Sequence, residues 1–183
     1  MVINVFISAD SKKRKPFVDC IKNICDNSNG RYKGRFLPDK VGELREEDRL
    51  KRMFECLGDS HLIFMDITPI EYAAEGVDKY WLTNQGVLIE YGAIMGLVYL
   101  RDSLKLFCES SVKRNRLHAY FLKTVDKYSE TNVDDINDPK SLRNIVIEII
   151  KEFEKRLDGE YLVQKKDSSA YKDVLKSMLR DKK

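Results

Sequence analysis

Long hydrophobic runs are missing from this chain of 183 residues. No apolar stretch approaches the roughly 20 residues of a membrane span, and none lies near the N-terminus ahead of small residues, as a secretory signal requires. Cysteine is scarce: Cys20, Cys25, Cys56 and Cys108 form no CxxC pair and fall among apolar residues, the usage of reduced, packed thiols in a cytoplasmic protein. The two histidines, His61 and His118, have no cysteine or acid at ligand spacing, so no zinc site or other metal centre is expected. Neither GxxxxGK[ST] nor GxGxxG occurs, which removes support for the P-loop and Rossmann nucleotide folds. A charge excess is missing too. Lys+Arg 33 against Asp+Glu 30 leaves a net charge of +3, too little for a surface built to neutralise nucleic-acid phosphates, and no sequence-specific nucleic-acid partner is expected. The basic groups Lys12-Lys13-Arg14-Lys15 and Lys113-Arg114-Asn115-Arg116 read as solvated loops or helix ends, with phosphate steering as the alternative.

What is present alternates between strand and helix patterns. Val2 to Ser8 is a short β-branched run of the kind found at the centre of an α/β sheet. Asp10 or Ser11 can initiate the next helix, and Pro16 fits its first turn. Phe17, Ile21, Ile24 and Cys25 share a face until Asn29-Gly30 ends it. Tyr32 to Pro38 is an edge strand or loop, weakened by Lys33-Gly34. Val41 to Leu57 is a second amphipathic helix with Leu50, Met53, Phe54 and Leu57 inward and Gly58 at C′. His61 to Asp66 is a buried strand ending in an acid. Ile67 to Thr83 exceeds the usual connection of roughly 4 to 6 residues and reads as a long functional loop. A helix from Asn84, a strand Leu104 to Glu109 and a polar, unassigned stretch 110–137 follow. The last helix of the domain starts at Asp138-Pro139, with Leu142, Val146, Ile149, Ile150, Phe153 and Leu157 on its inner face. The organisation is therefore one domain, 1–158, with a C-terminal helical tail, 159–183, whose Tyr171, Val174, Leu175, Met178 and Leu179 keep helical spacing. Such alternation predicts a three-layer α/β domain with a mostly parallel sheet and a ligand site beyond the strand C-termini.

One residue breaks the apolar pattern. Asn84 is a good N-cap for a helix whose Val87, Tyr91, Ile94 and Val98 recur at helical spacing, widened by Leu88 and Met95, and Glu90 sits beside that stripe. Desolvation raises a carboxyl pKa and a helix N-terminus lowers it, so its charge state is open. The ends of the first and third strands converge on the start of this helix. They assemble Ser8, Asp66, Asn84 and Glu90, with Tyr72, Tyr80 or Trp81 from the long loop: a carboxylate, polar groups for sugar hydroxyls and aromatic faces for a base. Breaking a ribose–base bond builds positive charge on the sugar, which a carboxylate stabilises or captures. One acid suffices when the base is already cationic, as nicotinamide is in NAD; otherwise a second acid is wanted, and Asp66 or Asp10 is the candidate. The structural alternatives are a Glu90 paired with an Arg or Lys, Ser8 as a helix cap, Asp66 orienting its loop, and Tyr80 and Trp81 as loop anchors. His61, at the opposite edge, is structural.

Val5-Phe6-Ile7-Ser8, the strand Asp59 to Met65, and Asn84-x-Gly86-Val87-x-x-Glu90-x-Gly92 resemble the TIR-like and nucleoside 2-deoxyribosyltransferase-like families over residues 2–109. Asn84 stands where the transferase motif has Asp, Tyr91 where the TIR-like motif has Leu, and Gly86 where many TIR domains carry Trp. The Ser8-Ala9-Asp10 turn lacks the aromatic that often follows the first Ser. The resemblance implies a flavodoxin-like layout and makes Glu90 the catalytic carboxylate. It implies cleavage of the N-glycosidic bond of NAD, by hydrolysis or cyclisation, in prokaryotic antiviral defence, with the nucleotide as substrate and no resident cofactor. Ser8, Asp10, Asp66, Trp81, Asn84 and Tyr91 are then the substrate-binding residues, and a homo-oligomer and a sensor or effector protein the implied partners. The alternatives are a deoxyribosyltransferase-like hydrolase of nucleosides or nucleoside monophosphates, and a non-catalytic nucleotide-binding or assembly module.

Overall fold

Val5 to Ser8 are buried on consecutive positions, so both faces of the strand Ile3–Ser8 (β1) are covered, as in a parallel sheet sheathed by helices. The computed structural model describes residues 2–37, 46–74, 77–97, 103–109 and 130–157. β1 pairs in parallel with Tyr32–Phe36 (β2) on one side and Leu62–Asp66 (β3) on the other. β3 pairs with Leu104–Glu109 (β6), and β6 with Glu130–Val133 (β7), again in parallel. Ile70–Ala74 (β4) and Val77–Leu82 (β5) form a separate antiparallel ribbon. The main sheet runs β2-β1-β3-β6-β7, which without the ribbon is the 2-1-3-4-5 order of flavodoxin-like folds. The order in which strands are added reverses between β1 and β3, and the crevice beyond their C-terminal ends is where such sheets bind ligands.

Right-handed crossovers put helix Lys15–Asp26 (α1) on one face of the sheet, and helices Glu46–Gly58 (α2) and Gln85–Gly96 (α3), which touch each other, on the other. Phe17 of α1 meets Phe107 of β6 edge-on at 5.3 Å, and Phe107 meets Phe64 of β3 at 5.6 Å. All four cysteines are free and buried, and burial pushes the Cys25 thiol up to about 12, disfavouring the thiolate. No helix among the described residues is long and apolar enough to cross a membrane.

Several boundaries differ from the sequence reading. α1 starts at Lys15 with Arg14 as N-cap, because the carboxylate of Asp10 instead accepts Lys12 N (2.9 Å) and Lys13 N (2.7 Å) and holds a separate turn. α1 ends at Asp26, and the left-handed pair Asn29 (φ 53°) and Gly30 (φ 77°) turns the chain into β2. α2 runs through Gly58. Met53 and Leu57 are buried, but Leu50, two turns before Leu57 on the same stripe, outruns the core and is 49% exposed. The expected loop 67–83 is the β4–β5 ribbon with its flanks, and the unassigned stretch contains β7. Residues 41–45, Lys113–Arg116, His118 and the tail 159–183 lie outside the described residues. Helix Pro139–Leu157 (α4) is as expected. The chain divides into two units within it, Met1–Arg143 and Asn144–Lys183. The site described next belongs wholly to the first.

Candidate active site

Asn84 uses both ends of its amide. Oδ1 accepts from Gly86 N (2.9 Å) and Val87 N (3.3 Å), satisfying two of the amides that a helix start leaves without partners. Nδ2 donates to Asp10 Oδ2 at 2.7 Å. The opening of α3 is thereby fastened to the turn that follows β1. Further along α3, Val87, Tyr91, Ile94 and Leu97 face the core, Ile89 faces solvent, and Glu90 stands at the boundary, half-buried. Ser8, the last residue of β1 and 1% exposed, donates its hydroxyl to Glu90 Oε2. Among the described residues no Lys or Arg pairs with Glu90, and Oε1 carries no hydrogen bond. Burial pushes its pKa up to about 7, opposed by the Ser8 hydrogen bond. A carboxyl placed this way interconverts acid and base near neutral pH.

Asp66, at the end of β3 and 3% exposed, has both oxygens engaged. Arg14 Nε donates to Oδ2 at 3.0 Å and Thr68 N donates to Oδ1 at 2.9 Å. Arg14 Nη1 also lies 3.8 Å from Glu109 Oε2 at the end of β6. Burial still pushes Asp66 up to about 6, against the opposing pull of Arg14 and Thr68. The strand ends are stitched further by Glu109 N donating to Thr68 Oγ1 (3.0 Å) and Thr83 Oγ1 donating to Ile67 O (2.8 Å), the latter closing the base of the ribbon.

The structure thus brings Ser8, Asp10, Asn84 and Glu90 together and ties Asp66 into an ion pair beside them. Tyr91 is 4% exposed on the core face of α3. Trp81 stands opposite Glu71, and Tyr72 opposite Tyr80, in the ribbon register; their side chains lie outside the described set. His61 Nδ1 accepts from Asn4 N (3.1 Å) at the far edge of the sheet, a structural contact. A groove of about 270 Å³ lined by Lys33, Arg35, Phe36, Arg52, Cys56 and Asp59 runs between β2 and α2 and contains none of the site residues. No group of three or more His, Cys, Asp or Glu among the described residues is placed to hold a metal ion. Sequence reasoning missed Arg14, reading it as part of a solvated basic run, whereas it is 8% exposed. The available signal was the buried acid at the end of β3, which needs a cation, and the arginine at a helix start on the same sheet edge.

No family model matches this chain, and no curated protein resembles it significantly. Among solved structures it is similar to that of the CMP N-glycosidase BcmB of Clostridium botulinum, with a TM-score of 0.51 and 12% sequence identity. The match covers 79% of this chain and 98% of that one. At this identity the likeness shows a shared fold, the α/β flavodoxin-like type.

Proposed function

We propose that this protein cleaves the N-glycosidic bond of a nucleotide, with Glu90 as the reacting carboxyl. The observation that carries this reading is the carboxyl of Glu90, anchored through one oxygen by Ser8 at the β1/β3 switch point, with no cation on it among the described residues. As the C1′–N bond breaks, its electron pair leaves with the base and positive charge gathers on C1′ and the ring oxygen. An ionised Glu90 stabilises that charge through Oε1, or bonds to C1′ as an ester that water then hydrolyses. Ser8 fixes the carboxyl plane, and Trp81 on the ribbon is the proposed base platform. The fold-level likeness to a protein described as an N-glycosidase of CMP supports the reaction class.

For the substrate, the two candidate second acids are the guide. Asp10 accepts from Asn84 and two backbone amides, and Asp66 from Arg14 and Thr68, so neither is free to protonate a leaving base. That favours a base that departs without a proton, and so NAD, whose nicotinamide is already cationic. A nucleoside monophosphate is the second reading, favoured by the CMP N-glycosidase likeness. Placement in immune signalling, and assembly into homo-oligomers, rest on the TIR-like resemblance alone. The test is chromatography of NAD, and separately of mixed nucleoside monophosphates, after incubation with the protein and with Glu90→Gln. Nicotinamide released by wild type and not by the variant supports the first reading, and free base from the monophosphates the second. Equal release by both proteins, or none from either substrate, overturns the assignment.

A further inference from the structure

Two hydrogen-bonded links join the same two pieces of chain. One is Ser8 to Glu90; the other, on the same loop and the same helix, is Asp10 to Asn84 at 2.7 Å. The second is anchored at both ends by backbone: Asp10 Oδ1 holds Lys12 N and Lys13 N, and Asn84 Oδ1 holds Gly86 N and Val87 N. We propose that Asp10 and Asn84 are a matched positioning pair that sets where Glu90 stands against Ser8, and that neither is itself a substrate ligand. This rests on the reading of Glu90 as the reacting carboxyl.

The chemistry of the pair explains why position 84 holds an amide. An aspartate there caps a helix as well as asparagine does, but has no N–H for Asp10 and sets one carboxylate against another. Asparagine supplies the acceptor for the helix and the donor for the loop from a single side chain. The link also answers a mechanical need. Ser8 ends a strand and Glu90 lies in the second turn of a helix reached through the ribbon, the 17 residues between Asp66 and Asn84, so covalent connection does not fix their spacing. A helix that pivots about its start moves its second turn, and a displacement of about 1 Å at a reacting group costs on the order of 100-fold in rate.

The decisive test is a swap. Asn84→Asp keeps the cap, breaks the link and is expected to lower cleavage of NAD or monophosphate by about 10- to 100-fold, with circular dichroism unchanged. The double variant Asp10→Asn, Asn84→Asp restores the link with its polarity reversed: the amide now on the loop donates to the carboxylate now at the helix start, and each side chain keeps its backbone amides. It is expected to regain most of the lost rate. A double variant as slow as Asn84→Asp, as direct contact of either residue with substrate requires, overturns the proposal, and so does a fully active Asn84→Asp. Should wild type cleave neither nucleotide, the functional reading fails while the pair is still decided by carbon-13 titration of the Glu90 carboxyl. The midpoint is expected to move by about half a pH unit or more in Asn84→Ser and to return in the swapped variant. An unmoved midpoint in Asn84→Ser, or no return on swapping, overturns it.

Discussion

Ionising Glu90 in the folded protein is opposed by burial, and that opposition couples stability to pH. The ordinary pKa of 4.5 becomes about 7 on folding, so between those values the folded state holds the proton more tightly than the unfolded chain. The stabilisation is full below the unfolded pKa and is lost as pH rises through the folded one. Glu90→Gln escapes the loss, so at pH 8 we expect the variant to be more stable than wild type in urea unfolding by on the order of 1–3 kcal/mol. Equal midpoints there would contradict the burial of the carboxyl. Catalysis has the opposite sign: a reaction that needs the ionised form speeds up through about pH 7. Ser8→Ala removes the bond that favours the charge, so the midpoint of its pH–rate profile should move upward. Arg14 gives a further check. Replacing it with Met leaves Asp66 buried without its cation, and the expected loss is about 3–5 kcal/mol, read from the unfolding midpoint near neutral pH.

At the scale of elements, the β4–β5 ribbon stands apart from the five-stranded sheet. Among the described residues its strands pair with each other alone, and Thr83 and Ile67 close its base. Replacing Ile70–Leu82 by a short Gly-Ser connection should leave cooperative unfolding and far-UV dichroism intact while weakening nucleotide binding; loss of cooperative folding would show that the ribbon supports the core. Gly30→Ala, at φ 77°, should cost about 1 kcal/mol by forcing a β-carbon into the left-handed region. These two features were unequally visible in sequence. Asn29-Gly30 marks its turn by residue type. The ribbon did not declare itself because its strand residues are flanked by Pro69 and mixed with charges, although Gly76 between two such runs was a hairpin cue. β1, β3 and β6 were legible because their buried positions are mostly apolar, interrupted only by Asn4 in β1 and Lys105 in β6 before the closing polar residue, and β7 was not because Glu-Thr-Asn-Val is short, polar and at the sheet edge. Glu90 was visible as a lone acid in an apolar helix. The Arg14–Asp66 pair was not, since its members are 52 residues apart and local patterns carry no information about such a contact.

For the molecule as a whole, two acids with raised pKa values, buried Asp66 near 6 and half-buried Glu90 near 7, tilt stability toward acid. The folded state retains their protons over a range where the unfolded chain has released them, so the contribution of both declines as pH rises from about 4 to 7. Thermal unfolding followed from pH 5 to pH 8 should show a falling midpoint, shallower in Glu90→Gln; a midpoint that rises across this range would mean that other groups outweigh this pair. The strand order has a consequence of a different kind. Because the ribbon is spliced between β3 and α3 as a sheet of its own, the segment proposed to receive the base is separate in the chain from the residues that hold the carboxyl. On the proposed reading, an insert of this kind can be exchanged or lengthened without touching Ser8, Glu90 or the sheet that holds them.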